Sequence, residues 1–330
     1  MAASTVFFVF VGTALLFDFI NGFHDSSNIV ATMISSHAMS PRAALLLASV
    51  AHFAAPFLFG VAVATTIGRD VVCPGAISVS VILAALASAI LWNLITWFFG
   101  LPSSSSHALI GGLVGAVGIA YSFHTIQVQG LIKVAIALFT SPLLGLVAGY
   151  LFMKIILFLA RGASPRINWF FKRAQILTSI ALSLSHGTND AQKTMGIITM
   201  GLVAMGVLEE FIVPFWVILL AAGAISLGTA TGGWRIIRTL GAGIYRVRPV
   251  HSFASQTCSA LVILGAALLG GPVSTTHVVS SAIIGVGSAE RISKVRWGVA
   301  GEIVTAWLVT IPATALGAAL LYMPVNAFLR

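Results

Sequence analysis

Charged side chains are scarce in this sequence: they make up 8% of the 330 residues, where a soluble domain carries about 25%. Hydrophobic residues reach 58%, and the mean hydropathy is +1.05. A soluble fold of this length could not bury so much apolar surface, and the exposed remainder would aggregate. The composition therefore excludes an ordinary soluble protein and predicts an integral membrane protein, because lipid does not penalise apolar helix faces.

Cysteine is also rare. Cys73 and Cys258 lie in different halves of the chain, so the sequence offers neither a disulfide framework nor a cysteine pair spaced to bind a metal. We expect no bound metal and no cofactor. The N-terminus lacks the basic region that opens a signal peptide, and we expect its apolar run to be retained as the first helix.

The apolar residues fall into ten segments, most of them close to the length of about 20 residues that one membrane-spanning helix needs. They are 4–36, 43–67, 75–99, 102–120, 131–159, 174–206, 211–231, 251–270, 272–289 and 297–323. The sequence predicts an all-α integral membrane protein of about 10–12 transmembrane helices or half-helices. Residues 1–160 and 174–330 are its two predicted membrane repeats, and the polar stretch 161–173 is a predicted cytoplasmic linker.

Two pairs of motifs relate the two halves. GFHDSSN at 22–28 corresponds to GTNDAQK at 187–193, with Asp25 aligned on Asp190. PSSSSH at 102–107 corresponds to PVSTTH at 272–277. The register of this second pair also places Thr140-Ser141-Pro142 on Thr310-Ile311-Pro312. Chance is a poor explanation for two blocks in one register, and we expect an internal duplication.

The basic residues predict an orientation. If 161–173 is cytoplasmic and each segment crosses once, all 17 Lys and Arg residues lie inside except Arg69, Lys133, Arg330 and the intramembrane Lys193. This positive-inside bias accounts for the net charge of +9 without a nucleic-acid partner. The first half then starts outside and the second inside, so the repeats are expected to be inverted, with both termini outside. Inverted repeats around a midplane site are typical of secondary transporters.

Four acidic residues fall well inside the predicted spans: Asp18, Asp25, Asp190 and Glu302. An ionisable group in a membrane costs about 2.5–3.5 kcal/mol on insertion scales, so each is a functional candidate. Asp25 and Asp190 occupy equivalent repeat positions and are surrounded by amides and hydroxyls. The pattern predicts an unwound stretch of helix that coordinates a cation or carries a proton, although a polar helix-packing contact would also fit. The nearby amides are those of Asn21, Asn28, Asn189 and Gln192.

The two Ser/Thr blocks predict anion binding. Each begins with Pro, which favours the first positions of a helix, and a Gly-rich apolar helix follows. A helix N-terminus that opens at membrane depth offers free N–H groups and a positive dipole end to an anion. Lys193 either adds charge to such a site or neutralises Asp190, and hydrogen bonding between helices is the alternative role for the hydroxyls. The hydroxyl groups belong to Ser104, Ser105, Ser106, Ser274, Thr275 and Thr276.

The remaining ionisable residues are candidates for a proton relay. His107 and His277 close the Ser/Thr blocks, and each either donates to a backbone carbonyl or relays protons. His24 lies beside Asp25 and could tune its protonation. Glu302 stands alone in a span with Trp307, as a coupling acid or as the partner of an arginine.

These motifs resemble the inorganic phosphate transporter (Pit) family in its short bacterial form. The resemblance is carried by GFHDSSNIVAT (22–32), GLPSSSSHALIGG (100–112), SHGTNDAQKTMGI (185–197) and GPVSTTHVVSSAIIG (271–285). It implies phosphate uptake by cation-coupled symport through an inverted-repeat fold. It assigns Asp25, Asn28, Asn189 and Asp190 to coupling-ion and substrate binding. It assigns phosphate contacts to the Ser/Thr turns. We expect Gln192 and Lys193 to contact phosphate as well.

The first motif departs from the family's common Gly-Ala-Asn-Asp pattern, because His24 replaces the Asn beside the Asp. This favours H⁺ over Na⁺ as the coupling ion, with phosphate or a metal–phosphate complex as the substrate. The expected location is the plasma (inner) membrane, and a homodimer is compatible with the sequence. Alternatives are a sulfate or thiosulfate permease on the same scaffold and an anion channel. An enzyme is not expected, because the Ser and His residues are adjacent and nothing marks an activated nucleophile.

Overall fold

The computed structural model describes residues 3–65, 78–125, 128–271 and 273–329. Its described part is helical and contains no strand, which confirms the predicted fold class. Arg69, Cys73, Pro272 and Arg330 lie outside the described residues. The helices are α1 (Ala3–Ser35), α2 (Pro41–Phe59), α3 (Val79–Phe99), α4 (Ser105–Ala120), α5 (Val128–Leu159), α6 (Ile167–Ala204), α7 (Phe215–Thr231), α8 (Trp234–Arg238), α9 (Pro249–Leu268), α10 (Thr275–Glu290) and α11 (Trp297–Leu329).

Six of these helices are long and apolar enough to cross a bilayer alone: α1, α2, α3, α5, α9 and α11. A seventh span is possible if α7 and the segment Trp234–Gly243, which are bent by 59° at a short break, count as one. Every predicted apolar segment contains a helix. Helix α6 begins at Ile167, so the polar stretch 161–173 includes its first turns.

Helix boundaries in the two halves follow the register that aligns 102–107 with 272–277. This register pairs Val79, which begins α3, with Pro249, which begins α9. It also pairs the first residue of α4 with the first residue of α10, and the last residue of α5 with the last residue of α11. The second half therefore repeats the helix order of the first in this region.

The short helices α4 and α10 pack against the last long helix of the opposite half. On α4, a Cβ at Gly115 would lie 2.0 Å from the Ala315 carbonyl oxygen of α11. On α10, a Cβ at Gly285 would lie 2.2 Å from the Leu146 carbonyl oxygen of α5. Glycine permits this close backbone approach, as in other membrane helix pairs. The repeats are thus interlocked at α4 and α10.

Buried polar residues concentrate in the middle of α1 and α6. Residues 24–33 of α1 and 185–202 of α6 are buried without interruption. Apart from Ala204 at its end, the exposed side chains of α6 lie in its first half, where Leu177 is 72% exposed. The two long helices therefore cross the interior with their acidic motifs shielded from lipid by the surrounding apolar helices.

Candidate functional site

Both Ser/Thr blocks begin helices, as predicted. Ser104 is the N-cap of α4, and its hydroxyl accepts a hydrogen bond from the backbone N–H of His107 at 3.3 Å. Ser274 is the N-cap of α10 and accepts from the N–H of His277 at 3.2 Å. Both helix starts are buried. Each one directs further backbone N–H groups and a positive dipole end into the protein interior.

The prediction that the Asp motifs are unwound is wrong: Asp25 and Asp190 lie within continuous helices. The neighbouring hydroxyls bond back to carbonyls of their own helix, such as Ser27 to His24 at 3.0 Å and Thr188 to Leu184 at 2.7 Å. They therefore satisfy their own polarity without breaking the helix. Gly22 serves packing instead, since a Cβ there would lie 2.1 Å from the carbonyl oxygen of Ile225.

The two acids meet at the start of α10. Thr275 places its hydroxyl 3.3 and 3.4 Å from the carboxylate oxygens of Asp190. Thr276, the next residue, places its hydroxyl 3.3 Å from both carboxylate oxygens of Asp25. All four side chains are buried. One helix N-terminus thus joins the acidic motifs of both halves, which are far apart in the chain.

Asp25 is paired with a histidine. His24 Nδ1 lies 2.7 Å from Asp25 Oδ1, and both side chains are buried. The other ring nitrogen, Nε2, faces the hydroxyls of Thr96 at 3.3 Å and Ser103 at 3.5 Å. Asn28 donates to Thr276 at 3.0 Å, which holds that hydroxyl against the carboxylate. The Asp25 site therefore contains two groups that can carry a proton, the carboxyl and the imidazole. Hydrogen bonds lead from the imidazole to Thr96 and Ser103, and from the carboxyl to Thr276.

Asp190 is paired with a lysine. Lys193 Nζ forms a buried ion pair with Asp190 Oδ1 one helical turn away. His186 Nδ1 lies 3.0 Å from the other carboxylate oxygen. The His186 ring stacks on His52 at 5.2 Å between centroids, and His52 Nδ1 lies 2.8 Å from the Thr229 hydroxyl. The buried lysine compensates the charge of the Asp190 carboxylate, and removing either partner of such a buried pair is strongly destabilising.

A cation could compete for this cluster only by displacing protein groups. Ligand atoms of Asp25, His186 and Asp190 lie within 4.8 Å of one another. Lys193 already pairs with one carboxylate and His24 with the other. Any cation at these residues would therefore have to compete with Lys193 and His24 for the carboxylates.

Gln192 and Glu302 differ in their surroundings from the other predicted site residues. Gln192 turns its carbonyl oxygen to the backbone N–H groups of Val63 and Ala64, at 2.7 and 3.2 Å. Glu302 is exposed in the second turn of α11, unlike the three buried acids. Asn189 remains near the α9–α10 connection, where its amide lies 3.5 Å from the Gly271 carbonyl. Ser105 and Ser106 are buried in the first turn of α4.

The two block histidines contact each other. The ring centroids of His107 and His277 are 4.5 Å apart, and the His277 ring stacks on Trp307 at 4.0 Å. Trp307 donates its indole N–H to the Pro102 carbonyl at 3.1 Å. Both helix starts therefore converge on one side chain of α11. Sequence reasoning missed Thr96, Ser103, His52 and Trp307 as site residues, since only their long-range contacts place them there.

A model of the phosphate transporter family matches residues 21–318, which include all four helix motifs described above. The chain belongs to this family. It is 47% identical to a Rhizobium meliloti protein named "Probable low-affinity inorganic phosphate transporter", over 98% of both chains. A Bacillus subtilis protein of the same name is 44% identical over 95% of both chains. This family membership agrees with the resemblance in the sequence motifs and identifies a transporter rather than an enzyme.

The fold is also that of a solved phosphate transporter. A structure titled "The sodium-dependent phosphate transporter" superimposes with a TM-score of 0.88 and 25% identity, over 98% of this chain and 99% of that chain. The superposition therefore covers both halves of the chain, including the short helices α4 and α10.

Proposed function

We propose that this chain carries inorganic phosphate across the plasma membrane by alternating access, in symport with protons. The observation that carries the proposal is the contact of adjacent hydroxyls, Thr275 and Thr276, with the two buried acids at a helix N-terminus. An anion bound by these N–H and hydroxyl donors would lie within reach of Asp25 and Asp190. The charge of the bound phosphate would then interact directly with the charges of the two carboxyl groups.

The different partners of the two acids divide their roles. Asp190 is neutralised by Lys193 and serves as a fixed ion pair. Asp25 has no lysine or arginine among its described partners and is paired with His24, so it is the carboxylate that takes up and releases the proton. The structural relative is titled sodium-dependent, and the proton assignment for this chain rests on His24, which stands where the family pattern has Asn.

Phosphate would bind between the starts of α4 and α10. Ser104, Ser105, Ser106 and Ser274 add hydroxyl groups around the helix N-termini, which bind anions through their N–H groups and dipoles. Phosphate carries a proton at neutral pH and sulfate does not, so a carboxylate that accepts this proton would select phosphate. A site built to bond such a hydrogen can reject an analogue lacking it by about 10⁴-fold or more.

Uptake of radiolabelled phosphate into proteoliposomes tests the proposal. Protein is reconstituted and driven by an inward proton gradient or an inward Na⁺ gradient, with excess sulfate as competitor and with or without Mg²⁺. We expect uptake driven by the proton gradient and unaffected by sulfate. Uptake driven by Na⁺ alone would overturn the proton assignment, competition by sulfate would favour a sulfate permease, and flux without coupling would favour an anion channel. A strict requirement for Mg²⁺ would identify a metal–phosphate complex as the substrate.

A further inference from the structure

A cavity of about 590 Å³ lies between α3 and α11 and opens to the protein surface. Its lining is mainly apolar and includes the exposed side chains of Ile95 and Phe99. Among its polar lining residues, Glu302 and Thr305 are exposed, whereas Thr96 is 2% exposed. Water that enters from the open side beside Glu302 would reach Thr96 as the buried hydroxyl of the lining.

Thr96 connects this cavity to the Asp25 site. Its hydroxyl lies 3.0 and 3.2 Å from the carbonyl oxygens of Trp92 and Asn93. It also lies 2.8 Å from the Ser103 hydroxyl and 3.3 Å from His24 Nε2. A hydroxyl has one proton and two acceptor positions, so Thr96 can donate to one of these groups while it accepts from another. His24 Nδ1 then continues the path to Asp25 at 2.7 Å.

We propose that this cavity is the proton route of the transporter, running from Glu302 through water to Thr96, with Ser103 as its partner, and on to His24 and Asp25. This inference rests on the proton coupling proposed above and names the path. In the direction of uptake, a proton on Asp25 passes to His24 Nδ1 while His24 Nε2 releases its own proton to the Thr96 hydroxyl. Thr96 in turn passes a proton to cavity water near Glu302. His24 and Thr96 each end with the number of protons they held before, Asp25 is left ionised, and the water near Glu302 carries the released proton to the solvent.

The charges around His24 favour passage through it. On α1 it faces the Asp25 carboxylate. On α8 the Arg235 guanidinium lies over the Trp97 ring at 5.2 Å, and Trp97 packs on Phe23, next to His24. On α6 the His186 imidazole and the Lys193 ammonium group are directed at Asp190. Glu302 on α11 supplies the negative charge at the far end of the cavity and would attract the departing proton.

The two other buried histidines near the helix starts do not join this route. His107 and His277 contact each other, and His277 contacts Trp307, around a separate cavity of about 230 Å³. That cavity is lined by Phe139, Val304 and Leu308 and by no carboxylate among the described residues. His24 is therefore the histidine whose described contacts join Thr96 to Asp25, whereas His107 and His277 lie around the separate cavity.

Full-length protein in proteoliposomes allows the route to be tested. Thr96→Val removes the hydroxyl and keeps the shape, whereas Thr96→Ser keeps the hydroxyl. Thr305→Val is the matched control, because Thr305 lines the same cavity and bonds only to the Gly301 carbonyl of its own helix among the described contacts. Two quantities are measured: net phosphate uptake with internal acidification reported by a trapped pH dye, and exchange of labelled for unlabelled phosphate at equal pH. Exchange does not require the proton to leave the carrier.

We expect Thr96→Val to lower net uptake and acidification by roughly 100-fold, as loss of a positioned proton-transfer group does. Exchange should stay within about twofold of the parent protein, and Thr96→Ser and Thr305→Val should transport normally. Glu302→Gln should slow net uptake and leave phosphate exchange unchanged. Normal net uptake by Thr96→Val would overturn the route, as would equal loss of net uptake and exchange, which identifies a purely structural role. If the parent protein itself takes up phosphate without acidification, the proposed proton coupling fails instead.

Discussion

His107 and His277 lie with their ring centroids 4.5 Å apart, although they come from opposite halves of the chain. Each is the third residue of a helix that begins at a serine cap, Ser104 or Ser274. The contact therefore brings two helix N-termini together at equivalent positions of the two halves. An anion placed between them would receive donors from both repeats, which one helix alone could not supply.

Asp25→Asn should abolish proton-driven phosphate uptake, because the amide cannot take up the proton and still hydrogen-bonds to Thr276. We expect a loss of roughly 100-fold or more, the scale of a removed acid–base group. Initial uptake rates in proteoliposomes measure it, and thermal unfolding in detergent checks that the fold persists. Glu209→Gln, an exposed carboxylate before α7, is the control. Normal uptake in Asp25→Asn would remove Asp25 from the coupling site.

Lys193→Met should destabilise the protein by about 3–5 kcal/mol, because the buried Asp190 carboxylate loses its lysine partner. Adding Asp190→Asn should recover much of this stability, since the buried charge is then removed as well. Unfolding in detergent compares the single and double variants, with Lys172→Met on the exposed first turns of α6 as control. A double variant as unstable as Lys193→Met would show that the ion pair is not the reason for the loss.

Replacement of both serine caps should weaken phosphate binding. Ser104→Ala and Ser274→Ala each remove a hydroxyl that accepts from a backbone N–H, at about 1 kcal/mol of helix stability. Their helix starts would then be less ordered for the anion, and the KM for phosphate should rise more than kcat falls. Ser104→Thr and Ser274→Thr keep a capping hydroxyl and serve as controls. An unchanged KM in the alanine variants would place phosphate away from these helix starts.

Gly228→Ala and Gly223→Ala form a matched pair on α7. A Cβ at Gly228 would lie 1.9 Å from the Phe19 carbonyl oxygen, whereas none of the described atoms lies within 4 Å of a Cβ at Gly223. We expect Gly228→Ala to cost about 1–3 kcal/mol through overpacking. Gly223→Ala should be neutral or slightly stabilising, because alanine favours helices. Thermal unfolding of both variants measures the difference, and equal unfolding temperatures would contradict the α1–α7 contact.

Glu290 should make stability depend on acid pH. Partial burial acts to raise its pKa, but Lys294, His251 and Arg248 outweigh this and lower the pKa from 4.5 to about 2. The unfolded chain then binds more protons than the folded one between these values, so the contribution is complete above about pH 5 and is lost as the pH falls toward 2. The free energy of unfolding, measured at about pH 6 and at about pH 3, tests this pH dependence.

Two variants complete the pH experiment. Glu290→Gln should lose less stability on acidification than the parent protein, because the amide does not titrate. Glu210→Gln, an exposed carboxylate in the loop before α7, should lose as much as the parent. Equal losses in all three proteins would show that the Glu290 cluster contributes nothing to folding.

Local sequence signals were sufficient for the helices and for the two buried caps. Apolar segments marked the spans, and a Pro two residues before the serine marked each cap. The unwound Asp motifs were mispredicted because Ser and Thr near an acid can serve the backbone of an intact helix as well as a ligand. Composition alone does not distinguish these cases, whereas the Ser27 and Thr188 contacts do.

The parts of the site that escaped prediction depend on contacts between distant residues. Thr96 lies in an ordinary apolar run, and only its position beside His24, 72 residues away, gives it a role. The hydrogen bonds from the backbone at Val63 and Ala64 to the Gln192 carbonyl oxygen likewise join residues 129 and 128 positions apart. A single sequence contains no signal for such pairings.

The exchange of packing between the halves has a consequence for how such a protein can fold. Residues 1–160 alone would leave the glycine face of α4 without α11 and the face of α5 without α10. Residues 174–330 alone would leave the complementary surfaces open. Neither half is then a self-sufficient domain, and the chain reaches its stable state only after α11 has been made and closes against the first half.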